Sequence, residues 1–297
     1  METLVSNLYI GVTLASILLL VGLGLTFTFG QMGVINMAHG EFIMAGAYVP
    51  YVLQTTLFDH VRGLAVLVAF PLAFVVAGLM GVVLERLLLR RMYGRPLDTL
   101  LVTFGVSIML QQLAKDLFSA NNKDVVTPTW LRGQWDLFGV SLTHTRLFVL
   151  LVVVVTMVGV WVFMSKLAAG RRMRAVMQNR QLAAVSGLPT SRVDATTFFL
   201  GSGLAGIAGV AVSLIGPIGT ATGSAYILSA FLVVIVGGLG KLRGVVTAAL
   251  VLGILNAFVE HATSSTLGKA AVFGFVILFL QVRPNGLVSF RTRGLAV

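Results

Sequence analysis

The chain has 297 residues, of which 57% are apolar and only 10% are charged, and its mean hydropathy is +0.98. A soluble domain of this length needs a charged exterior, which 21 Lys and Arg and 10 Asp and Glu cannot supply. The formal net charge of +11 does not indicate nucleic-acid binding, because the basic residues lie between apolar runs and not on one soluble face. Cysteine is absent, which excludes disulfides and thiolate metal sites. The composition indicates an integral membrane protein.

The first apolar stretch, residues 4–29, contains no Lys, Arg, Asp or Glu and is long enough to cross a membrane as a helix. The first basic residue of the chain is Arg62, so the basic start of a cleaved signal peptide is missing and we expect this segment to be retained. Eight more apolar stretches follow, at 42–58, 63–85, 97–119, 146–165, 193–215, 225–239, 245–260 and 268–282. We therefore expect an all-α, polytopic transmembrane helix bundle of about 8–10 spans, with some helices broken by glycine.

Basic residues indicate the orientation, because Lys and Arg collect on the cytoplasmic side of membrane proteins. In a nine-span topology most of them fall on one side: Arg86, Arg90, Arg91, Arg95, Lys166, Arg171, Arg172, Arg174, Arg180, Arg192, Lys241, Arg243, Arg283, Arg291 and Arg293. We predict that residues 1–297 form a single membrane domain with its N-terminus outside and its C-terminus in the cytoplasm. Residues 120–145 then form a long outer loop, which Trp130 and Trp135 hold at the membrane interface, and residues 166–192 form a cytoplasmic loop.

The sequence contains no enzyme or cofactor motif in the context that its chemistry requires. His39-Gly40-Glu41 is not a zinc motif, and nucleophile elbows are missing. Gly201-Ser-Gly203-Leu-Ala-Gly206 matches a dinucleotide fingerprint, but it lies within an apolar helical run and is better explained by close helix packing. Lys241 follows several glycines without the spacing of a phosphate loop. We therefore predict a chain that is not an enzyme and has no metal or cofactor, so that any ATP used is bound by a partner.

The segment from Gly30 to Glu41 is the densest polar group in the apolar N-terminal part of the chain. Its glycines loosen the helix, and Asn36, His39 and Glu41 offer hydrogen-bond donors and acceptors. Polar, non-helical backbone at membrane depth is tolerated where it lines protein or a wet cavity, so these three residues are candidates for a substrate path. The alternative is a surface turn in which Asn36 and Glu41 cap helices. Weaker path candidates on apolar spans are Gln111, Gln112 and Asn256, each of which could instead be a hydrogen bond between helices.

Residues 166–192 read as one amphipathic helix that Gly187 and Pro189 terminate. Its apolar positions are Met173, Val176, Met177, Ala183, Ala184 and Val185, and its polar positions are Arg172, Arg174, Asn179 and Arg180. One interpretation is a helix that lies on anionic lipid. The other is a docking helix that seats in a groove of a cytoplasmic partner, where Ala183 and Ala184 allow a close approach and Gly187 adopts a left-handed conformation.

Two strings resemble a known family, the branched-chain amino-acid and urea permeases of binding-protein-dependent ABC importers. Gly33-Val-Ile-Asn-Met-Ala-His-Gly-Glu41 is similar to the N-terminal signature of that family, and Arg180-Gln-Leu-Ala-Ala-Val-Ser-Gly-Leu-Pro189 resembles its coupling-helix motif. The similarity runs from about residue 8 to residue 288. Five further strings resemble the urea-type first permease more closely: Tyr93–Leu101, Gln111-Gln112, Ala120–Asn122, Gln178–Arg180 and Arg283–Leu287. Asp98 and Asn285 depart from the urea pattern, where Glu and Gln are usual.

The resemblance implies a multi-pass permease of the bacterial inner membrane, with residues 120–145 in the periplasm and with Arg174, Asn179, Arg180, Ala183, Ala184, Gly187 and Pro189 at the ATPase-coupling surface. It also implies four kinds of contact: a second homologous permease, two cytoplasmic ATPase subunits, a periplasmic substrate-binding protein and membrane lipid. The expected substrate is urea or a related small polar solute. A branched-chain amino-acid importer is the alternative, and a passive solute channel is a third, from a different class.

Overall fold

The computed structural model describes residues 2–58, 61–137, 140–284 and 286–287. Asn285, Arg291 and Arg293, which the sequence analysis uses, lie outside these residues. The described part contains the α-helices α1 (Glu2–Met32), α2 (His39–Thr56), α3 (Arg62–Leu87), α4 (Pro96–Phe118), α5 (His144–Lys166), α6 (Ala168–Gln178), α7 (Arg180–Val185), α8 (Thr190–Ser213), α9 (Thr222–Gly237), α10 (Leu242–Ala262) and α11 (Ser265–Val282). Two short strands, β1 (Gln134–Leu137) and β2 (Val140–Thr143), form an antiparallel hairpin between α4 and α5.

The predicted helix bundle is confirmed, and each of the nine apolar stretches coincides with one long helix. Within the described residues, α1, α3, α4, α5, α8 and α10 are long and apolar enough to cross a membrane. Helices α9 and α11 are apolar but shorter, and α2 has 18 residues that include His39, Glu41 and Pro50. The fold is thus a polytopic helical bundle whose shorter helices lie beside full-length ones.

Helix α8 lies at the centre of the bundle and packs most extensively against α3, then against α2 and α1. Its glycines allow this packing. Gly201 lies against Gly24 of α1, Gly203 against Phe74 of α3, and Gly206 against Ala73 of α3 and Gly46 of α2. The fingerprint-like Gly201–Gly206 string is therefore a helix-packing surface, as predicted, since a side chain at these positions would overlap the neighbouring backbone.

Helices α4 and α5 lie at the periphery of the bundle. Large apolar side chains such as Leu101 and Leu113 of α4 and Val154 and Trp161 of α5 are more than half exposed. Exposed apolar faces of this kind suit contact with lipid or with another membrane subunit. Helix α4 contacts the bundle mainly through α2, which makes the hydrogen bonds between these two helices important for its position.

The segment between α4 and α5 is folded, and the hairpin within it was not predicted. Leu131 is buried at 3% exposure, and the Trp130 ring contacts Phe148 of α5 at a centroid distance of 5.2 Å. A backbone bridge joins Lys123 to Ile218, which lies between α8 and α9. Trp130 and Trp135 are both exposed, as expected of side chains at a membrane interface.

The single amphipathic helix predicted over 166–192 is wrong, because the structure forms two helices, α6 and α7, that are separated by an extended residue at Asn179 (φ −156°, ψ 102°). The Asn179 side chain accepts a hydrogen bond from the Leu182 amide at 2.9 Å and so caps α7. Gly187 has φ +81°, so its predicted left-handed conformation after the last turn of the helix is confirmed. Asn179 thus divides the amphipathic pattern into two helices, and Gly187 follows the end of the second.

Candidate functional site

Three predicted path residues lie deep in the bundle. The helix break between Met32 and His39 brings Asn36, His39 and Glu41 inside, with relative exposures of 0%, 0% and 1%. Ala38 precedes α2, and no side chain caps the helix there. The alternative interpretation, a surface turn capped by Asn36 and Glu41, is therefore wrong.

Glu41 is the centre of a polar cluster. Its Oε1 accepts hydrogen bonds of 2.8 Å from Ser107 Oγ and of 2.8 Å from Gln111 Nε2, both on α4. The Gln111 amide also donates to Ser224 Oγ of α9 at 2.9 Å. We call Glu41, Ser107, Gln111 and Ser224 the Glu41 cluster. It connects α2, α4 and α9, so the predicted residues Glu41 and Gln111 do meet in space.

Two hydrogen bonds hold the break between α1 and α2 against α4. The Met37 amide donates to Thr103 Oγ1 at 3.1 Å, and this hydroxyl lies 3.3 Å from the carbonyl oxygen of Ile35, to which it donates. The residues Thr103, Ser107 and Gln111 follow each other at intervals of four, so they lie on one face of α4. This polar face is what attaches the otherwise peripheral helix to the bundle.

Asn36 and His39 carry buried polar atoms that the rest of the chain does not satisfy. Neither amide atom of Asn36 has a hydrogen-bond partner among the described residues. The His39 ring lies beside the backbone of Val21 and of Gly24 on α1, without a hydrogen bond of standard geometry. Buried polar groups are nearly always paired, and unpaired ones cost about 1–3 kcal/mol. Such groups are typical of sites that contact a polar solute.

The other two path candidates lie elsewhere. Gln112 is exposed on α4, where its amide donates to Asp116 at 3.1 Å. Asn256 lies on α10, where its amide donates to Glu260 at 3.4 Å. The structure therefore brings neither residue to the Glu41 cluster. Sequence reasoning missed Ser107 and Ser224, and the signal that could have found Ser107 is its interval of four residues from Gln111 on an apolar helix.

The predicted coupling residues divide between an inward and an outward surface. Met173 and Val176 of α6 are buried at 1% and 2% exposure, and Ala183 of α7 is buried at 5%. These three side chains pack on the bundle within this chain, and the coupling role of Ala183 stays a prediction. Ala184 is exposed, and Leu182 and Val185 beside it are 65% and 86% exposed. The open apolar face of this segment is thus the outer face of α7.

Arg180 joins α7 to the bundle. Its guanidinium donates from Nη1 to Asp194 Oδ1 at 2.8 Å and from Nη2 to Asp194 Oδ2 at 2.6 Å, and Asp194 is only 1% exposed. Its hydrogen bonds to Asp194 raise the pKa of Arg180 above its already high usual value, against the opposing effect of burial. The guanidinium also lies over the Tyr93 ring, 5.2 Å from the centroid. Arg180 therefore stays charged and remains bound at the start of α8.

Tyr93 extends this connection to α3. Its hydroxyl donates to Glu85 Oε1 at 2.7 Å, and Glu85 is 1% exposed. Burial, together with the bond to Glu85, raises the pKa of Tyr93, so the phenol stays neutral. Sequence reasoning missed Asp194 and Tyr93 as partners of Arg180, and Glu85 as the partner of Tyr93. The available signal was Asp194 itself, an acid at the start of the predicted apolar stretch 193–215, because a buried carboxylate requires a cation.

The remaining coupling candidates have structural contacts of their own. Arg174 donates from Nη1 to the Met164 carbonyl at the end of α5, and Arg171 donates to the Lys166 carbonyl at 2.8 Å. Cations at a helix C-terminus satisfy its free carbonyls and oppose its dipole. Pro189 directly precedes α8. Arg174 and Pro189 thus shape the turns on either side of α6 and α7.

The fold is a polytopic helical bundle in which a helix break carries polar residues into the interior, an architecture that membrane transport proteins use. Residues 7–281 match the family described as the branched-chain amino acid transport system, permease component. The chain belongs to this family of ABC-importer permeases, as the sequence signatures indicated.

Several relatives match over nearly the whole chain. The high-affinity branched-chain amino acid transport system permease protein BraD of Pseudomonas aeruginosa is 30% identical in a match that covers 97% of this chain and 95% of the relative. The protein LivH of Escherichia coli, with the same description, is 30% identical over 293 residues, 95% of this chain and 94% of the relative. The ribose import permease protein RbsC of Bacillus subtilis is 30% identical over 132 residues, 42% of this chain and 41% of the relative. No solved structure matches.

Proposed function

We propose that this chain is a translocation-path subunit of an ATP-driven importer for branched-chain amino acids. The observation that carries the proposal is the similarity to BraD and LivH over at least 94% of each relative. These relatives do not support the prediction, made from the sequence, that the substrate is urea. The alternative prediction, a branched-chain amino-acid importer, fits them better. The short strings that suggested urea cover a small part of the chain, whereas the similarity covers nearly all of it.

The proposed assembly contains a second homologous permease, two cytoplasmic ATPase subunits and a periplasmic binding protein in the bacterial inner membrane. Exposed apolar faces on α4 and α5 suit contact with a second membrane subunit or with lipid. The outer face of α7, with Leu182, Ala184 and Val185, suits a groove on an ATPase subunit. Arg180 then transmits displacement of α7 to α8 and, through Tyr93, to α3.

The Glu41 cluster and Asn36 are proposed to line the path. They lie where α1 and α2 are separated by non-helical backbone, which membrane proteins place at solute sites. Helix α4 is attached there by side-chain hydrogen bonds, which can exchange between protein and solute during a transport cycle. Asn256 is proposed to serve a different part of the path.

The orientation is also proposed, with the N-terminus in the periplasm and the C-terminus in the cytoplasm. Helix α5, at 23 residues, is about 34 Å long and connects the hairpin segment directly to α6, so these two regions lie on opposite sides of a hydrocarbon core of about 30 Å. Single cysteines at the exposed positions Thr129 and Gln181 should be labelled by an impermeant maleimide from opposite faces. Labelling of both positions in intact cells would contradict this topology.

The function is tested by reconstituting the chain with its partner subunits in proteoliposomes and measuring uptake of radiolabelled leucine and urea, with and without ATP. We expect ATP-dependent leucine uptake that excess isoleucine and valine suppress and excess urea does not. ATP-dependent urea uptake without leucine uptake would restore the urea assignment. Uptake of either solute at the same rate without ATP would indicate a passive channel.

A further inference from the structure

A second polar site lies in a cavity between α1, α9, α10 and α11. The cavity has a volume of about 250 Å³, below the roughly 300–1,000 Å³ of sites for drug-sized ligands. Its size therefore suits a small solute. Three other cavities in the described part of the chain are lined almost entirely by apolar side chains, whereas this one combines charged, amide, hydroxyl and apolar groups.

Two opposite charges line this cavity without neutralising each other. Glu260 lies near the end of α10 and Lys269 near the start of α11, and both contribute to the wall. Among the described residues, neither forms an ion pair within 4 Å. The Asn256 amide donates to Glu260 Oε2 at 3.4 Å, which orients the carboxylate from one turn below. Glu260 and Lys269 thus offer one negative and one positive charge to the same small cavity. These charges are complementary to a ligand that carries both a positive and a negative group.

The deeper wall is apolar. Leu14 and Leu18 of α1 and Val272 of α11 contribute to it, and Leu18 and Val272 are 4% and 7% exposed. Ser229 and Tyr226 of α9 add hydroxyl-bearing side chains to the lining. A ligand that fits has an ammonium group, a carboxylate and a compact aliphatic side chain.

We propose that this cavity, lined by Asn256, Glu260 and Lys269, is an entry site for a zwitterionic aliphatic α-amino acid. Glu260 binds the ammonium group, Lys269 binds the carboxylate, and the α1 and α11 side chains contact the aliphatic group. In the orientation proposed above, the mouth of the cavity opens to the periplasm. The site deepens the proposed function and rests on it. Urea, which has neither an ionic charge nor an apolar part, does not use these groups.

The chain offers a matched control for the charged pair. On α4, Gln112 donates to Asp116 with the same spacing of four residues, and Lys115 stands beside them. These residues are exposed and do not line this cavity. The test variants are therefore Glu260→Gln and Lys269→Gln, and the controls are Asp116→Asn and Lys115→Gln. All four positions are exposed, so the folded bundle is expected to tolerate the substitutions, which thermal unfolding of each variant verifies.

Binding is measured with the full-length chain in phosphatidylglycerol nanodiscs, using tritiated leucine and two competitors. The competitor 4-methylpentanoate is leucine without its ammonium group, and 3-methylbutylamine is leucine without its carboxylate. We expect each cavity variant to weaken leucine binding by about 10- to 100-fold, the effect of losing a hydrogen bond between charged groups. The control variants should change it by less than about twofold, as exposed charges do.

The competitors give a pattern that general damage to the protein does not produce. Glu260→Gln should abolish the preference for leucine over 4-methylpentanoate and keep the preference over 3-methylbutylamine, and Lys269→Gln should do the reverse. Unchanged affinity in both variants would overturn the proposal. A second outcome would also overturn it: both variants still bind leucine, but they lose phosphatidylethanolamine that the wild-type chain retains. The site would then hold a zwitterionic lipid headgroup.

Uptake by the complete importer separates failure of this site from failure of the proposed function. If wild-type importer shows ATP-dependent leucine uptake and both cavity variants match it in binding and in uptake, the entry site is wrong and the function stands. If wild-type importer takes up urea and no leucine, the function is wrong and the entry site falls with it.

Discussion

Arg180 and Asp194 form a bidentate ion pair in which both guanidinium donors lie within 2.8 Å of a carboxylate that is 1% exposed. The pair joins α7, a helix with an open apolar face, to α8, the central helix of the bundle. A planar guanidinium that donates two parallel hydrogen bonds holds its partner in a fixed orientation. The start of α7 is therefore bound directly to the first turns of α8, in addition to the turn that connects the two helices.

The first prediction concerns this pair. Arg180→Gln should lower the free energy of unfolding by about 1–3 kcal/mol, because it leaves the Asp194 carboxylate buried without this guanidinium. The loss should fall short of the roughly 3–5 kcal/mol of a fully buried pair, since the Arg180 side chain is 38% exposed and water screens it. The measurement is unfolding of the purified permease in detergent.

The matched control for the first prediction is Arg95→Gln. Arg95 and Asp98 form an exposed ion pair at 3.8 Å, with side-chain exposures of 75% and 54%. Such pairs contribute roughly 0–1 kcal/mol, so this variant should unfold almost as the wild type does. Equal losses in the two variants would mean that Arg180 acts only as a surface charge.

The second prediction concerns the attachment of α4. Gln111→Leu removes hydrogen bonds to Glu41 and Ser224, and it should cost about 1–3 kcal/mol because buried acceptors lose a donor. Leucine uptake by the reconstituted importer should fall with it, since α4 loses a contact at the proposed path. Gln112→Leu, on the exposed side of the same helix, is the control and should leave both quantities close to wild type. Normal uptake by Gln111→Leu at a normal expression level would remove the Glu41 cluster from the path.

The third prediction concerns the packing of α8 on α2. A Cβ atom at Gly209 would overlap the Ile43 carbonyl oxygen and lie 2.6 Å from the Ala47 amide nitrogen. Both contacts are with backbone, which yields little, so Gly209→Ala should destabilise the bundle by about 1–3 kcal/mol. Gly159→Ala on α5 meets nothing within 4 Å and should be neutral or stabilising by up to about 1 kcal/mol. Thermal unfolding of both variants tests the contrast, and a stabilised Gly209→Ala protein would contradict the packing described here.

The fourth prediction concerns docking of the ATPase subunits. Ala184 is exposed on α7, so Ala184→Glu should leave the permease folded and place a charge on the apolar face beside Leu182 and Val185. Burial of that charge in an interface costs several kcal/mol, so co-purification of the ATPase subunits and substrate-stimulated ATP hydrolysis should both be lost.

Two further variants make this test specific. Ala120→Glu places the same change at an exposed alanine on the predicted outer side, and it should retain the ATPase subunits. Ala183→Glu should instead destabilise the permease itself, since Ala183 is 5% exposed within the chain. Full ATPase recovery with Ala184→Glu would mean that α7 is a lipid-surface helix and that docking uses the segment from Glu85 to Leu97.

The sequence by itself determined the class of the protein and the positions of its long helices. This follows from the physics of a membrane, in which an apolar run of sufficient length has one stable backbone conformation, with every peptide group paired within the helix. The turn at Gly187 was predictable for a similar local reason, because a left-handed residue after a helix is nearly always glycine. Family signatures of nine or ten residues were enough to indicate a permease, but not the substrate.

Only the tertiary structure decided which polar residues meet. Gln111 and Gln112 are neighbours of the same type, and the rotation of α4 alone places one against Glu41 and leaves the other exposed. Ala183 and Ala184 differ in the same way, one facing the bundle and the other facing outward. Helix amphipathicity did not resolve these choices, because helices in lipid are apolar on all sides and their rotation is set by glycine contacts and by a few side-chain hydrogen bonds between distant parts of the chain.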